Sequence, residues 1–224
     1  MLPRVELDRL ALPDGGTLRL IQRGDEFSIM LDTNELMNSR LSASEEALAT
    51  MSIERRGGVE APHLLIGGLG MGFTLRAALG ALGPEARLTV AELIPQVVEW
   101  ARGPMASLFG ACLDDPRVTI EIADVGNLIH FPLSRYDAIL LDVDNGPDGL
   151  TREANDELYG LGGLRAAYDA LNPGGILAVW SVASDPGFAR RLRRANFAVD
   201  EVRVRAHAGR RGAHHVIWFA KKPG

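Results

Sequence analysis

Apolar and polar residues alternate with a period of two at the start of the chain. Val5 to Leu12 alternates, Pro13-Asp14-Gly15-Gly16 carries turn chemistry, and Thr17 to Arg23 resumes the alternation. Gly24-Asp25-Glu26 turns again, and a third strand runs from Phe27 to Leu31. Residues 1–40 therefore read as short strands. Ser42-Ala43-Ser44-Glu45 has capping-box spacing, with Glu45 able to reach back to the N-terminal amide. It predicts a helix to about Arg55 that stops at Gly57-Gly58.

From His63 onward strands and helices alternate. The pattern predicts a strand at His63–Gly67, a helix at Met71–Leu82, a strand at Arg87–Glu92, and a helix from Pro95 to about Phe109. Strands follow at Arg117–Ala123 and Tyr136–Asp142, the latter as apolar as a central parallel strand should be. A helix at Glu153–Leu171 ends at Asn172-Pro173-Gly174-Gly175, and Ile176–Ser181 and Pro186–Ala195 give a further strand and helix. Two last strands, Ala198–Ala206 and His214–Ala220, flank the turn Gly209-Arg210-Arg211-Gly212. That turn has no room for a crossover helix, so the two must pair as a hairpin. The expected fold is α/β: a parallel sheet with helices on both faces, ending in an antiparallel hairpin. A small β domain at residues 1–41 precedes it, and 42–224 form the main domain. No internal repeat or low-complexity segment is visible.

Composition sharpens this picture. With 224 residues, 46% hydrophobic and 24% charged, the chain can bury a full core. Lone Cys112 has no disulfide partner, which fits a reducing cytoplasm. The start lacks an apolar signal core. Leu64–Gly83 has the length of a membrane span, but six glycines and Arg76 interrupt it, so no membrane segment is expected. A net charge of −5 argues against nucleic acid as a partner. Residues 190–224 nevertheless hold ten basic and only two acidic residues, leaving the remainder strongly acidic. That asymmetry weakly favours a cationic ligand.

The candidate chemistry sits at predicted strand ends. Gly68-Leu69-Gly70-Met71-Gly72 follows an apolar strand and opens a helix, where missing side chains let the backbone approach a ligand. The dinucleotide pattern requires a third glycine where Phe73 stands, which disfavours NAD. Glu92 ends the next strand and can accept both hydroxyls of a ribose. Asp124 ends the third and can receive an exocyclic adenine amine, while the Val125 amide reaches a ring nitrogen. Together these mark a site for bound adenosine. Asp142, with Asp144 two residues on, ends the fourth strand; paired carboxylates there attract an amine and can act as its general base. Asp144 could equally shape a turn with Asn145-Gly146.

These residues resemble the spermidine synthase (polyamine aminopropyltransferase) family. The likeness runs through Ile29-Met30-Leu31-Asp32, Leu64-Leu65-Ile66-Gly67-Gly68, Leu75-Arg76, Glu92, Asp114-Asp115-Pro116-Arg117-Val118, Tyr136-Asp137, Asp142, Gly146-Pro147, Leu150-Thr151-Arg152-Glu153 and Leu171-Asn172-Pro173-Gly174-Gly175. It implies a small N-terminal β domain before the Rossmann-like, seven-stranded sheet of class I S-adenosylmethionine (SAM) methyltransferases, and a homodimer. It implies that Gly68, Gly70, Gly72, Glu92 and Leu93 hold SAM or decarboxylated SAM. Asp124 with Val125 would hold its adenine, and Asp142 would deprotonate an attacking amine. The product would be methylthioadenosine or S-adenosylhomocysteine. Met71 stands where the family has an aspartate for the amine of decarboxylated SAM, which favours intact SAM. Leu36-Met37-Asn38 and Ser44-Glu45-Glu46 replace a Gln and a Tyr-His-Glu run, and Trp180-Ser181-Val182-Ala183 replaces acidic and glutamine residues.

The expected function is transfer of an aminopropyl or methyl group to a small amine. The alternatives are a non-catalytic nucleoside-binding module and, further off, an NAD-dependent oxidoreductase. No metal is expected, because His214 and His215 point to opposite faces of a strand. Arg190, Arg191, Arg193 and Arg194 read as a solvated helix face. Trp100, Trp180 and Trp218 read as core or interface residues.

Overall fold

The computed structural model describes residues 2–13, 15–142, 157–206 and 213–224. Its first four strands, β1 (Val5–Ala11), β2 (Thr17–Arg23), β3 (Glu26–Leu31) and β4 (Asn34–Asn38), form an antiparallel sheet in chain order. The alternation in the sequence becomes two faces: Leu18, Leu20, Phe27 and Ile29 are buried while Arg19 and Ser28 face outward. The sequence reading missed β4, whose Asn34-Glu35-Leu36-Met37-Asn38 lacks a clear period. It pairs with β3, Ile29 opposite Met37, across a turn at Asp32. Asp32 adopts φ 52°, and its Oδ1 accepts the Thr17 amide at 3.0 Å. A contact fifteen residues away thus stabilises a left-handed conformation that a side chain otherwise disfavours.

Helix α1 (Ala43–Arg56) follows and ends at Gly57, φ 73°. The expected capping box is absent: Ser42 makes no side-chain cap bond, and Glu45 turns to the Ser44 hydroxyl instead. The main sheet then alternates β5 (His63–Gly67), α2 (Phe73–Ala81), β6 (Arg87–Glu92), α3 (Pro95–Arg102), α4 (Ala106–Phe109), β7 (Val118–Ile122), α5 (Val125–His130) and β8 (Tyr136–Leu141). After the segment outside the described residues come α6 (Leu161–Ala170), β9 (Leu171–Ser181), α7 (Pro186–Arg194), β10 (Ala198–Arg205) and β11 (His214–Lys221). The seven strands lie in the order β10-β11-β9-β8-β5-β6-β7. Those from β7 to β9 are parallel, and β11 runs antiparallel to both β9 and β10, as the hairpin argument requires.

Two predicted elements change shape, and one element is new. The helix from Pro95 breaks after Arg102 and resumes at Ala106, because Pro104 has no N–H to continue it. Asn172–Gly175 does not end a helix before a new strand; it forms a bulge inside β9, with Gly174 at φ 71°. Helix α5, six residues long, answers to no predicted element; it starts where Asp124 caps the Gly126 amide at 2.7 Å. The predicted turn at 209–212 lies outside the described residues.

The core has two layers, one on each face of the main sheet. Leu64, Ile66, Leu88 and Val90 pack with α1, α2 and Trp100, and the inner face of the small sheet joins that same cluster. Leu65, Ile139, Leu177 and Val179 pack with Leu164, Phe188, Leu192 and Trp218 on the other side. Asp8 on β1 ties the small sheet to α3, its Oδ2 accepting from Gln96 Nε2 at 2.9 Å and Trp100 Nε1 at 2.7 Å. Buried Asp137 accepts from Arg56 at 3.0 Å and from the His63 amide at 2.9 Å, fixing the end of α1 to the start of β5. Of the four arginines on α7, Arg191 departs from a solvated face: its Nε donates to the Tyr159 carbonyl at 3.2 Å. No helix among the described residues is long and apolar enough to cross a membrane.

Candidate functional site

The carboxyl ends of β5, β6, β7 and β8 open onto one cavity, roofed by the small sheet. A first chamber of about 170 Å³ is lined by Gly68, Gly70, Glu92, Leu93, Asp124, Val125 and Asp142 from the main sheet, and by Leu18, Ile29, Leu36 and Met37 from the small one. A second, of about 70 Å³, shares Leu36, Met37, Gly68, Gly70 and Asp142 with it and adds Glu45, Met71, Gly72, Phe73 and Trp180. Crevices outside the carboxyl ends of parallel strands are where open α/β sheets hold ligands.

The turn between β5 and α2 is shaped by its glycines. Gly68, Gly70 and Gly72 have φ of 87°, 50° and 75°, and the Gly72 amide closes the turn on the Leu69 carbonyl at 2.9 Å. At Gly70 a Cβ would sit 3.2 Å from Met37 Sδ, and at Gly72 it would overlap the Phe109 ring. Gly72→Ala therefore combines left-handed strain with a buried overlap. We expect it to cost about 3 kcal/mol, lowering Tm by about 6–12 °C. An unchanged thermal melt would contradict the turn geometry.

Glu92 is buried, 7% exposed, and holds this turn from β6. Its Oε2 accepts the Leu69 amide at 3.0 Å and its Oε1 the Ile94 amide at 2.9 Å. A carboxylate so fixed is an acceptor of the kind that a ligand's hydroxyls require. Asp124 is exposed at the N-terminus of α5, with Oδ1 on the Gly126 amide; beside it Val125 is buried and packs near Gly67. Leu93 is 65% exposed at the mouth.

Asp142 stands at the end of β8, its amide on the Gly67 carbonyl at 3.1 Å, and Thr74 Oγ1 donates to its Oδ2 at 2.8 Å. Burial and then the Glu45 charge push its carboxyl up to about 7, against the opposing Thr74 hydrogen bond. Glu45 in the first turn of α1 is also pushed up, chiefly by burial. Ser44 Oγ donates to Glu45 Oε2 at 2.5 Å and lies 2.9 Å from His215 Nδ1. His215 meets Trp180 edge-on with ring centroids 4.7 Å apart, and burial holds its imidazole below the usual value.

The structure thus gathers Gly68, Gly70, Gly72, Glu92, Leu93, Asp124, Val125 and Asp142 around one cavity. Asp144 lies outside the described residues. Of the roof, the residue pattern marks Leu18 and Ile29 as core, and the resemblance marks Leu36 and Met37 only as departures from the family's residues. Glu45, a cap by its spacing and part of a run that departs from the family's, lines the second chamber instead. Trp180, expected in the core or an interface and standing where the family has polar residues, lines the second chamber.

No family model matches the chain. A 122-residue segment, 53% of the chain, is 35% identical to a polyamine aminopropyltransferase of Corynebacterium efficiens, and a 120-residue segment is 34% identical to one of Mycobacterium tuberculosis. In both cases the match spans only 22% of the relative's length. Among solved structures, the spermidine synthase of Thermotoga maritima superposes with a TM-score of 0.75 at 20% identity, over 97% of this chain and 72% of that one. A spermidine synthase in complex with the transition-state analogue AdoDATO gives 0.74 at 19% identity, over 97% of this chain and 72% of its own. A probable spermidine synthase from Corynebacterium glutamicum gives 0.67 at 14% identity, over 97% of this chain and 79% of its own. The chain has a spermidine synthase-like fold and, over half its length, a spermidine synthase-like sequence.

Proposed function

We propose that the chain is an aminopropyltransferase-type enzyme, taking a group from a sulfonium nucleoside, foremost decarboxylated SAM, and passing it to a small amine. The observation that carries this reading is the convergence of the glycine turn, Glu92, Asp124 and Asp142 on one cavity. The ribose hydroxyls would donate to Glu92, and adenine would lie between Leu93, Ile94 and Val125 with its amine on Asp124 Oδ2. A bound sulfonium supplies a carbon activated by the neighbouring positive sulfur. The protein's work is then to align that carbon with the attacking nitrogen and to take the proton that nitrogen sheds. Asp142, its carboxyl near 7, is matched to that task at neutral pH.

The second chamber also bears on the donor. Its described lining contains the carboxylates of Glu45 and Asp142 and no Lys, Arg or His. A donor that keeps its own carboxylate would meet like charge there, whereas the decarboxylated donor brings only positive charge. This outweighs the preference for intact SAM drawn from Met71, which is a packed apolar residue, 4% exposed.

Calorimetry with decarboxylated SAM, SAM, methylthioadenosine and NAD tests the reading. We expect decarboxylated SAM and methylthioadenosine to bind, SAM to bind more weakly, and NAD not to bind. Tight NAD binding with no response to the sulfonium compounds would overturn it. Binding without turnover on any primary amine would leave a nucleoside-binding module instead.

A further inference from the structure

The proposed chemistry uses Asp142 and leaves a second carboxylate in the same chamber without a task. Glu45 is held there by contacts from both ends of the chain. Ser44, fully buried, places its Oγ between Glu45 Oε2 at 2.5 Å and His215 Nδ1 at 2.9 Å. A hydroxyl has one proton. Given to Glu45, it leaves the Ser44 oxygen as acceptor, so neutral His215 must carry its proton on Nδ1. Trp180 fixes the imidazole ring edge-on, and α1 fixes Ser44. The carboxylate of Glu45 is therefore aimed by a three-residue chain that helix capping does not require.

Beside the two carboxylates the chamber is lined by Asn38 and by the apolar side chains of Met37, Met71, Phe73 and Trp180. Two carboxylates in such surroundings repel each other, and no described lining residue carries a compensating positive charge. An alkylammonium has the complementary chemistry. Its N–H groups suit two carboxylates, and its carbon stem suits thioethers and aromatic faces. We infer that Glu45 is a specificity residue, the carboxylate that holds an ammonium group of the ligand beside Asp142, with Ser44 and His215 as its positioning residues. This rests on the reading above that the cavity is the ligand site.

The test titrates 1,3-diaminopropane, with 1-propanol as neutral control, into the full chain and follows the indole N–H of Trp180 by NMR. That N–H is buried without a hydrogen-bond partner among the described residues. The diamine should shift it saturably and the alcohol should not. Glu45→Gln should weaken the diamine about 10- to 100-fold, and Glu45→Asp less. Ser44→Ala should weaken it a few-fold, with Ser44→Thr restoring it. Equal affinity in wild type and Glu45→Gln, or no shift in wild type, would overturn the inference; the wild-type arm decides even if a variant fails to fold. Methylthioadenosine lacks the ammonium, so Glu45→Gln should leave its affinity unchanged. A wild-type chain that binds the diamine but not methylthioadenosine would overturn the nucleoside reading and leave this one standing.

Discussion

Asp142→Asn is expected to lower group transfer by about 10²- to 10⁴-fold while making the protein more stable at neutral pH. Both effects come from one fact: the fold holds the Asp142 proton more tightly than the unfolded chain does. Its carboxyl lies near 7 in the folded state against 3.8 ordinarily, because burial and the Glu45 charge oppose ionisation. Below about pH 4 the group is protonated in both states and has no effect on stability. Between about 4 and 7 the unfolded chain ionises first, so stability falls as pH rises, and above 7 the full penalty stands. The asparagine carries no charge to desolvate, and its Oδ1 can still accept from Thr74 Oγ1. One side of Asp142 opens to the cavity, so about 2 kcal/mol is a fair size for the relief, a gain of about 4–8 °C in Tm at pH 8. The gain should vanish when the melts are repeated near pH 4. A variant both inactive and less stable at pH 8 would show instead that Asp142 serves the fold.

Glu92→Gln should weaken methylthioadenosine binding by about 10²- to 10⁴-fold, the loss expected when two hydroxyls no longer meet a carboxylate. The change is nearly isosteric, so packing is kept. What changes is polarity: one end of the side chain becomes a donor and faces either the Leu69 or the Ile94 amide, both of which now donate to Glu92. One buried N–H is left without an acceptor, at about 1–3 kcal/mol. The glycine turn should loosen together with the ribose contact. Calorimetry and a thermal melt on the same sample read the two effects. Full affinity in the variant would remove Glu92 from the site, whatever the melt shows.

The strands were legible because burial on one or both faces writes itself directly into their sequence. Thr17–Arg23, His63–Gly67 and Arg87–Glu92 have the predicted bounds. So was the terminal hairpin, since chain length alone forbids a crossover between its strands. Elements that depend on a distant partner were not legible. β4 exists because β3 supplies its hydrogen bonds and Asp32 its turn; α5 is a single capped turn and a half; the Asn172–Gly175 bulge is decided by the register of β9 against β8.

The site divides the same way. Gly68, Gly70, Gly72, Glu92, Asp124 and Asp142 could be picked out from the sequence alone, since each ends a recognisable strand or opens a recognisable helix. In a parallel sheet strand ends must lie side by side, so sequence position becomes spatial position. The roof of Leu36 and Met37, the second carboxylate of Glu45 and its support by Ser44 and His215 had no such rule; the resemblance marks all but His215 only as departures from the family's residues. His215 lies 171 residues beyond Ser44, and only the packing of α1 against the hairpin brings the two together. The sequence by itself therefore determined the sheet and the half of the cavity that the sheet builds. The tertiary structure decided the other half, because it is made by surfaces that meet only after the sheet has formed.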